Sequence, residues 1–122
     1  MAGTIEFRNG RRWDASGGAF RGMVLGTVGR LDDSESSKKL RAILMEAVDS
    51  NLMFIAFEEE LDQEMQNRFA KALAEFASHT KAQGPSGAAN SELHEGFVQR
   101  LQDLVGLIAQ ARDREGSGAE RT

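Results

Sequence analysis

Apolar residues recur along this chain with changing period, and each period predicts a different element. Thr4-Ile5-Glu6-Phe7-Arg8 alternates polar and apolar, the mark of a strand with one buried face. Asn9-Gly10 follows, a strong hairpin-turn signal. A two-residue turn would set Phe7 opposite Arg12 and Glu6 opposite Trp13, which mixes the faces. A three-residue loop, Arg8-Asn9-Gly10, pairs Ile5 with Trp13, Phe7 with Arg11 and Glu6 with Arg12. That register gathers Ile5, Phe7 and Trp13 on one face and an opposite-charge pair on the other. It needs Gly10 in the left-handed region. A lone hairpin is marginal in water, so this apolar face must pack on something.

Beyond residue 16 the period becomes helical. Phe20, Val24, Val28 and Leu31 fit one face, although Gly22, Gly26 and Gly29 each weaken a helix by about 1 kcal/mol relative to Ala. The same glycines form a stripe that permits close backbone approach. Asp32 and Glu35 have the form of a capping box. Leu40, Ile43, Leu44, Ala47 and Val48 then share a face, until Asp49-Ser50-Asn51 interrupts. Leu61, Met65, Phe69, Leu73 and Ala77 form a further stripe, with Asp62 as its N-cap. One helix from 34 to 80 would be about 70 Å long, too long for so small a domain, so a break belongs between 50 and 61. The run 52–57 at that break is apolar throughout. Periodicity leaves it open as core helix, buried strand or partner surface. The last stripe, Leu93, Phe97, Leu101, Leu104, Ile108 and Ala111, predicts a helix over 91–114 capped by Asn90 or Ser91. Widened by Val98 and Val105, it could hold a bundle together or a dimer.

Glycine and proline set the punctuation. Seven of the 13 glycines lie in residues 1–31, none lies between Arg30 and Gln83, and the sole proline, Pro85, sits in the break Gln83-Gly84-Pro85-Ser86-Gly87. The prediction is a single α+β domain, mainly helical, over 1–114. It has a hairpin at 1–15 packed on a small bundle of about four helices, from a helical middle at 16–80 and the C-terminal helix. Residues 115–122 read as a disordered tail.

Composition narrows the function classes. With 122 residues, 40% hydrophobic and 28% charged, the chain suits a folded domain. It has no Cys, which removes disulfides, thiolate metal sites and a Cys nucleophile. The opening residues carry no signal-peptide core, and the longest apolar run has only six residues, so the expectation is a cytoplasmic protein. The net charge of −4 excludes a broadly basic nucleic-acid binder. It is also an average. Residues 1–31 hold five Arg against Glu6 and Asp14, a net of +3, whereas 32–66 hold ten acids against Lys38, Lys39 and Arg41, a net of −7. No basic residue occurs between Ala42 and Asn67.

The acids are densest at Glu58, Glu59, Glu60, Asp62 and Glu64. Acids are favoured at a helix start for local reasons. A concentrated field of one sign also speeds and selects a partner of the opposite sign. These five are the candidate partner-binding residues. The run lacks the spacing of a calcium loop. His79 and His94 form no ligand pair with helical spacing, so no metal or cofactor is expected. The serines lack a nucleophile elbow, and Gly22, Gly26 and Gly29 match no phosphate-binding pattern. No catalytic residue is expected. Arg8, Arg11, Arg12 and Arg21, near Phe7, Trp13 and Phe20, are best read as stems covering the hairpin's aromatic face.

The hairpin ending at Trp13, the helices at 34–50 and 62–80, and the acidic turn at 58–64 give a chain whose size and character resemble small cytosolic immunity proteins. Those proteins neutralise interbacterial toxins, such as the ones delivered by type VI secretion. The resemblance implies occlusion of a partner's active site without chemistry. The expected function is therefore a non-enzymatic protein that neutralises a cognate bacterial toxin through an acidic surface. Two other readings stand beside it. One is a structural or regulatory homo-oligomer joined through the 91–114 helix. The other is a small ligand-binding domain or enzyme using the Gly- and Arg-rich front.

Overall fold

The computed structural model describes residues 2–50, 52–84 and 91–121, with side chains placed over 3–50, 52–84 and 94–112. Strands β1 (Ala2–Glu6) and β2 (Arg12–Ser16) form the hairpin. Their register is the one that sorts the faces: Ile5 lies opposite Trp13 and Glu6 opposite Arg12. Gly10 has φ +88°, the left-handed conformation that the three-residue loop requires. Ile5, Phe7, Trp13 and Ala15 are buried. The opposite-charge contact differs from expectation. Arg12 pairs with Asp14 of its own strand at 3.0 Å, because side chains two apart on a strand share a face.

Helices α1 (Gly17–Val28) and α2 (Glu35–Asp49) follow. Ser16 caps α1 by accepting from the Ala19 amide. The cap of α2 is Ser34, which accepts from the Ser37 amide at 3.2 Å, and not Asp32. Asp32 lies two residues earlier, where its carboxylate accepts from the Ser34 amide and the Ser37 hydroxyl. The glycine stripe of α1 does serve close packing. A Cβ on Gly26 would fall 2.2 Å from the Phe76 ring, so only glycine lets α1 approach helix α4 (Gln63–Gln83) at this depth.

The apolar run 52–57 resolves into two short elements. Strand β3 (Phe54–Ala56) pairs parallel to β1, with Ile55 opposite Ile5, giving a three-stranded sheet of order β2-β1-β3. The single turn α3 (Phe57–Glu60) continues from it. Met53 enters β3 with φ +48°, unusual for a residue with a side chain, and its amide donates to the Ala47 carbonyl. Burial then alternates: Met53, Ile55 and Phe57 are inside, while Leu52 and Phe54 are outside. The break between 50 and 61 is therefore a strand and a turn.

Asp62 caps α4 through the Met65 amide at 2.8 Å, as expected. The stripe Leu61, Met65, Phe69, Leu73 and Ala77 is buried along its length. Helix α4 ends at Gly84, with φ +71°. The remainder of the expected break, 85–90, and with it the candidate cap Asn90, lies outside the described residues. Helix α5 (Ser91–Arg121) runs past the boundary at 114 and carries the backbone through 115–121, the segment read as a tail from sequence.

The core lies between the sheet and the helices. Phe57 sits 5.1 Å from Phe7 and 6.1 Å from Phe69, joining hairpin, turn and α4 through tilted ring contacts. On the other flank Trp13 packs near Phe20, and its indole N–H donates to the Arg100 carbonyl of α5 at 2.8 Å. Val98, Leu101, Leu104, Ile108 and Ala111 of α5 are buried within the same chain. The α+β, mainly helical architecture is as expected, with five helices among the described residues.

Candidate functional site

The acidic run falls on β3's continuation, where the chain leaves the sheet and enters α4. Three of its five carboxylates accept main-chain hydrogen bonds. Glu58 accepts from the Arg8 amide at 2.9 Å and thereby ties α3 to the hairpin loop. Glu60 accepts from the Ala56 amide at 2.7 Å, closing α3 on itself. Asp62 is the α4 cap. The other two meet arginines. Glu59 pairs with Arg8 at 3.2 Å, and Glu64 pairs with Arg68 one turn along α4 at 2.8 Å. Arg68 also reaches Asp32 at 2.7 Å, so one guanidinium bridges the α1–α2 loop and α4. Replacement should therefore leave folding nearly intact at Glu59, whose exposed ion pair is worth about 0–1 kcal/mol, but not where a carboxylate satisfies a backbone amide.

Glu59, Glu60, Asp62 and Glu64 nonetheless remain exposed, and Glu58 is half-buried. Among the described residues, the cations that reach this run are Arg8 and Arg68. The Arg8 guanidinium thus belongs to the acidic surface. The Asp32 carboxyl is held well below the usual carboxylate range. The Ser37 hydroxyl does most of this, helped by Ser34 and Arg68.

Beside the acids lies a feature that the sequence left open. A groove of about 510 Å³ runs between α2 and β3, lined by Ile43, Glu46, Ala47, Leu52, Phe54 and Glu60. Leu52 is 70% exposed and Phe54 40%, two of the three exposed large hydrophobic residues among those described. The acidic run therefore borders an apolar strip. The signal for it was weak, because both faces of the segment 52–57 are apolar and its alternation does not show in polarity.

The histidines do not converge on a ligand site. His79 is exposed on α4, His94 is half-buried on α5, and no group of three metal-ligating side chains forms among the described residues. A second groove of about 540 Å³ lies at the glycine-rich front, lined by Ser16, Gly18, Ala19, Gly22, Phe97 and Arg100 among others. Neither Arg21 nor a histidine lines it. Among the described residues no helix is long and apolar enough to cross a membrane.

The class these features define is a small mainly helical α+β domain with an acidic face beside an open strand edge. No protein-family profile matches the chain. No curated protein and no solved structure matches it either.

Proposed function

We propose that this protein is a non-enzymatic binding module that engages a basic face of a protein partner, and that the partner is a bacterial toxin whose active site it covers. The observation carrying this reading is the folded position of residues 42–67. They carry seven acids and no base of their own; Glu46 and Glu60 line the groove beside β3, Glu58 and Glu59 sit on α3, and among the described residues the cations paired with the acidic run are Arg8 and Arg68. Such a field attracts a cationic cleft over a Debye length, about 8–10 Å at physiological salt, and rejects anionic surfaces. The occluding role comes from the resemblance to immunity proteins.

The test is capture of a partner with the full chain from its organism of origin, followed by measured affinity for charge-removed variants. Glu59 and Glu64 become Ser, while Glu58 and Glu60 become Gln and Asp62 becomes Asn, so that an acceptor oxygen stays at each backbone amide. Affinity is expected to fall at least about tenfold, with a shallower salt dependence. A partner bound equally well by the charge-removed chain overturns the reading.

Two other uses have less behind them. Of the α5 stripe that would serve a homo-oligomer, Val98, Leu101, Leu104, Ile108 and Ala111 are buried within the chain and Phe97 and Val105 are half-buried, while the Leu93 side chain lies outside the described ones, so a dimer through α5 would draw mainly on its other faces. The front groove keeps a ligand-binding reading alive, with Ser16 and Arg100 as its polar lining.

A further inference from the structure

The edge of β3 gives the proposed partner a shape, an inference that rests on the reading of a basic protein partner. β3 is an outer strand of the sheet. In a parallel ladder alternate residues turn their amide and carbonyl to the neighbouring strand. The Thr4 amide donates to the Met53 carbonyl at 2.8 Å, and Thr4 lies opposite Phe54. Ile55 therefore bonds to β1, while Phe54 and Ala56 turn theirs to the other edge. There the Ala56 amide meets the Glu60 carboxylate, which sits where the carbonyl of a next strand would sit. Open strand edges are usually blunted in folded proteins. This one is blunted at Ala56 by Glu60 and left with exposed Leu52 and Phe54 along the groove against α2.

We infer that the edge of β3 and the α2–β3 groove receive one extended segment of the partner, with an apolar centre and basic ends. The apolar centre fits the wall of Ile43, Leu52 and Phe54, and the basic ends fit the rim acids Glu46 and Glu60. Added strands of this kind draw affinity from main-chain bonds and specificity from side-chain pockets. A second copy of this chain is disfavoured as the occupant, because the segment it would offer, its own β3 edge, is flanked by the acids Glu46 and Glu60 where the rim calls for basic ends.

The probe is a synthetic peptide with a Val-Ile-Val centre between paired lysines, titrated into the full chain and followed by amide chemical shifts. The shifts are expected to centre on residues 42–46 and 52–60, and a peptide with glutamates replacing the lysines is expected not to bind. A Leu52→Ser/Phe54→Ser chain should melt as the parent does and bind about tenfold more weakly. Two further peptides, N-methylated at alternate amides in either phase, keep the test independent of any variant. One should weaken about tenfold and the other little, since a strand uses only one edge. Equal loss from both, or no binding of the lysine peptide, overturns the inference. Shifts confined to 58–64 and insensitive to Leu52→Ser/Phe54→Ser also overturn it, while leaving the acidic-face reading standing. Concentration-dependent dimerisation of the chain, abolished by the same variant, would assign the edge to self-pairing and overturn the partner segment.

Discussion

Residues 52–56 and 58–64 adjoin in sequence and border one another on the surface, yet the fold treats them in opposite ways. The acidic stretch, which solvation alone would leave in water, is drawn into service. Glu58, Glu60 and Asp62 each satisfy a backbone amide, and Glu59 and Glu64 each meet an arginine. The apolar stretch, which burial would favour, leaves Leu52 and Phe54 in the open. The cause is geometric. A strand must send alternate side chains to opposite faces, so a run that is apolar throughout cannot bury every member against one core. Met53, Ile55 and Phe57 take the inner face, and the outer set lines the groove. Charge marks a surface here only partly, because a carboxylate's first use is local. Exposed apolar area beside that charge is the more selective sign of a partner.

The comparison can be sharpened from inside β3 outward. The largest effect belongs to Phe57, which is fully buried between Phe7 and Phe69. Phe57→Ala is expected to cost about 3–5 kcal/mol in denaturant unfolding. Phe54→Ser, three residues away on the outer side, should stay within about 0.5 kcal/mol. Similar costs at the two positions would break the inside–outside alternation.

Gly26→Ala comes next, at about 1–3 kcal/mol, because the added methyl must displace the Phe76 ring. A neutral thermal melt for this variant would contradict the close approach of α1 and α4. Among the acids, Asp62→Ala should cost about 1 kcal/mol through loss of the α4 cap. Glu59→Gln should cost less than about 1 kcal/mol, since its ion pair is exposed on both sides. Reversal of that order would show that charge, and not backbone satisfaction, governs the acidic stretch.

Asp32 supplies a pH signature. Its folded carboxyl is held low, chiefly by the Ser37 hydroxyl, so its contribution is present above the unfolded carboxylate value of about 4 and fades as pH falls below it. Asp32→Asn is expected to lower stability at neutral pH and to flatten the acid limb of the melting profile. An acid limb as steep in the variant as in the parent would remove Asp32 from that account.

Much of the fold was legible because local chemistry and face sorting agreed. Gly10 could supply the left-handed residue of the loop, and the same register put Ile5, Phe7 and Trp13 together. The stripes of α4 and α5 were legible for the same reason. The third strand was not. Its partner β1 lies about 50 residues earlier, a parallel pairing leaves no turn signal, and both its faces are apolar. The cap of α2 was misplaced because Asp32 and Ser34 are both good caps, and their spacing does not say that Ser34 takes the Ser37 amide while Asp32 takes the Ser34 amide and the Ser37 hydroxyl. At the candidate site, the acids were visible but their backbone partners were not. The groove needed α2 and β3 brought side by side, which no spacing in the sequence encodes.

The most direct test of the central claim, that the β3–α3 side is the partner surface, is hydrogen exchange of the full chain alone and saturated with its captured partner. The account predicts added protection concentrated in residues 42–64, with α1 and the outer face of α5 unchanged. Protection confined to α1 or α5, with 42–64 exchanging as in the free chain, would contradict it.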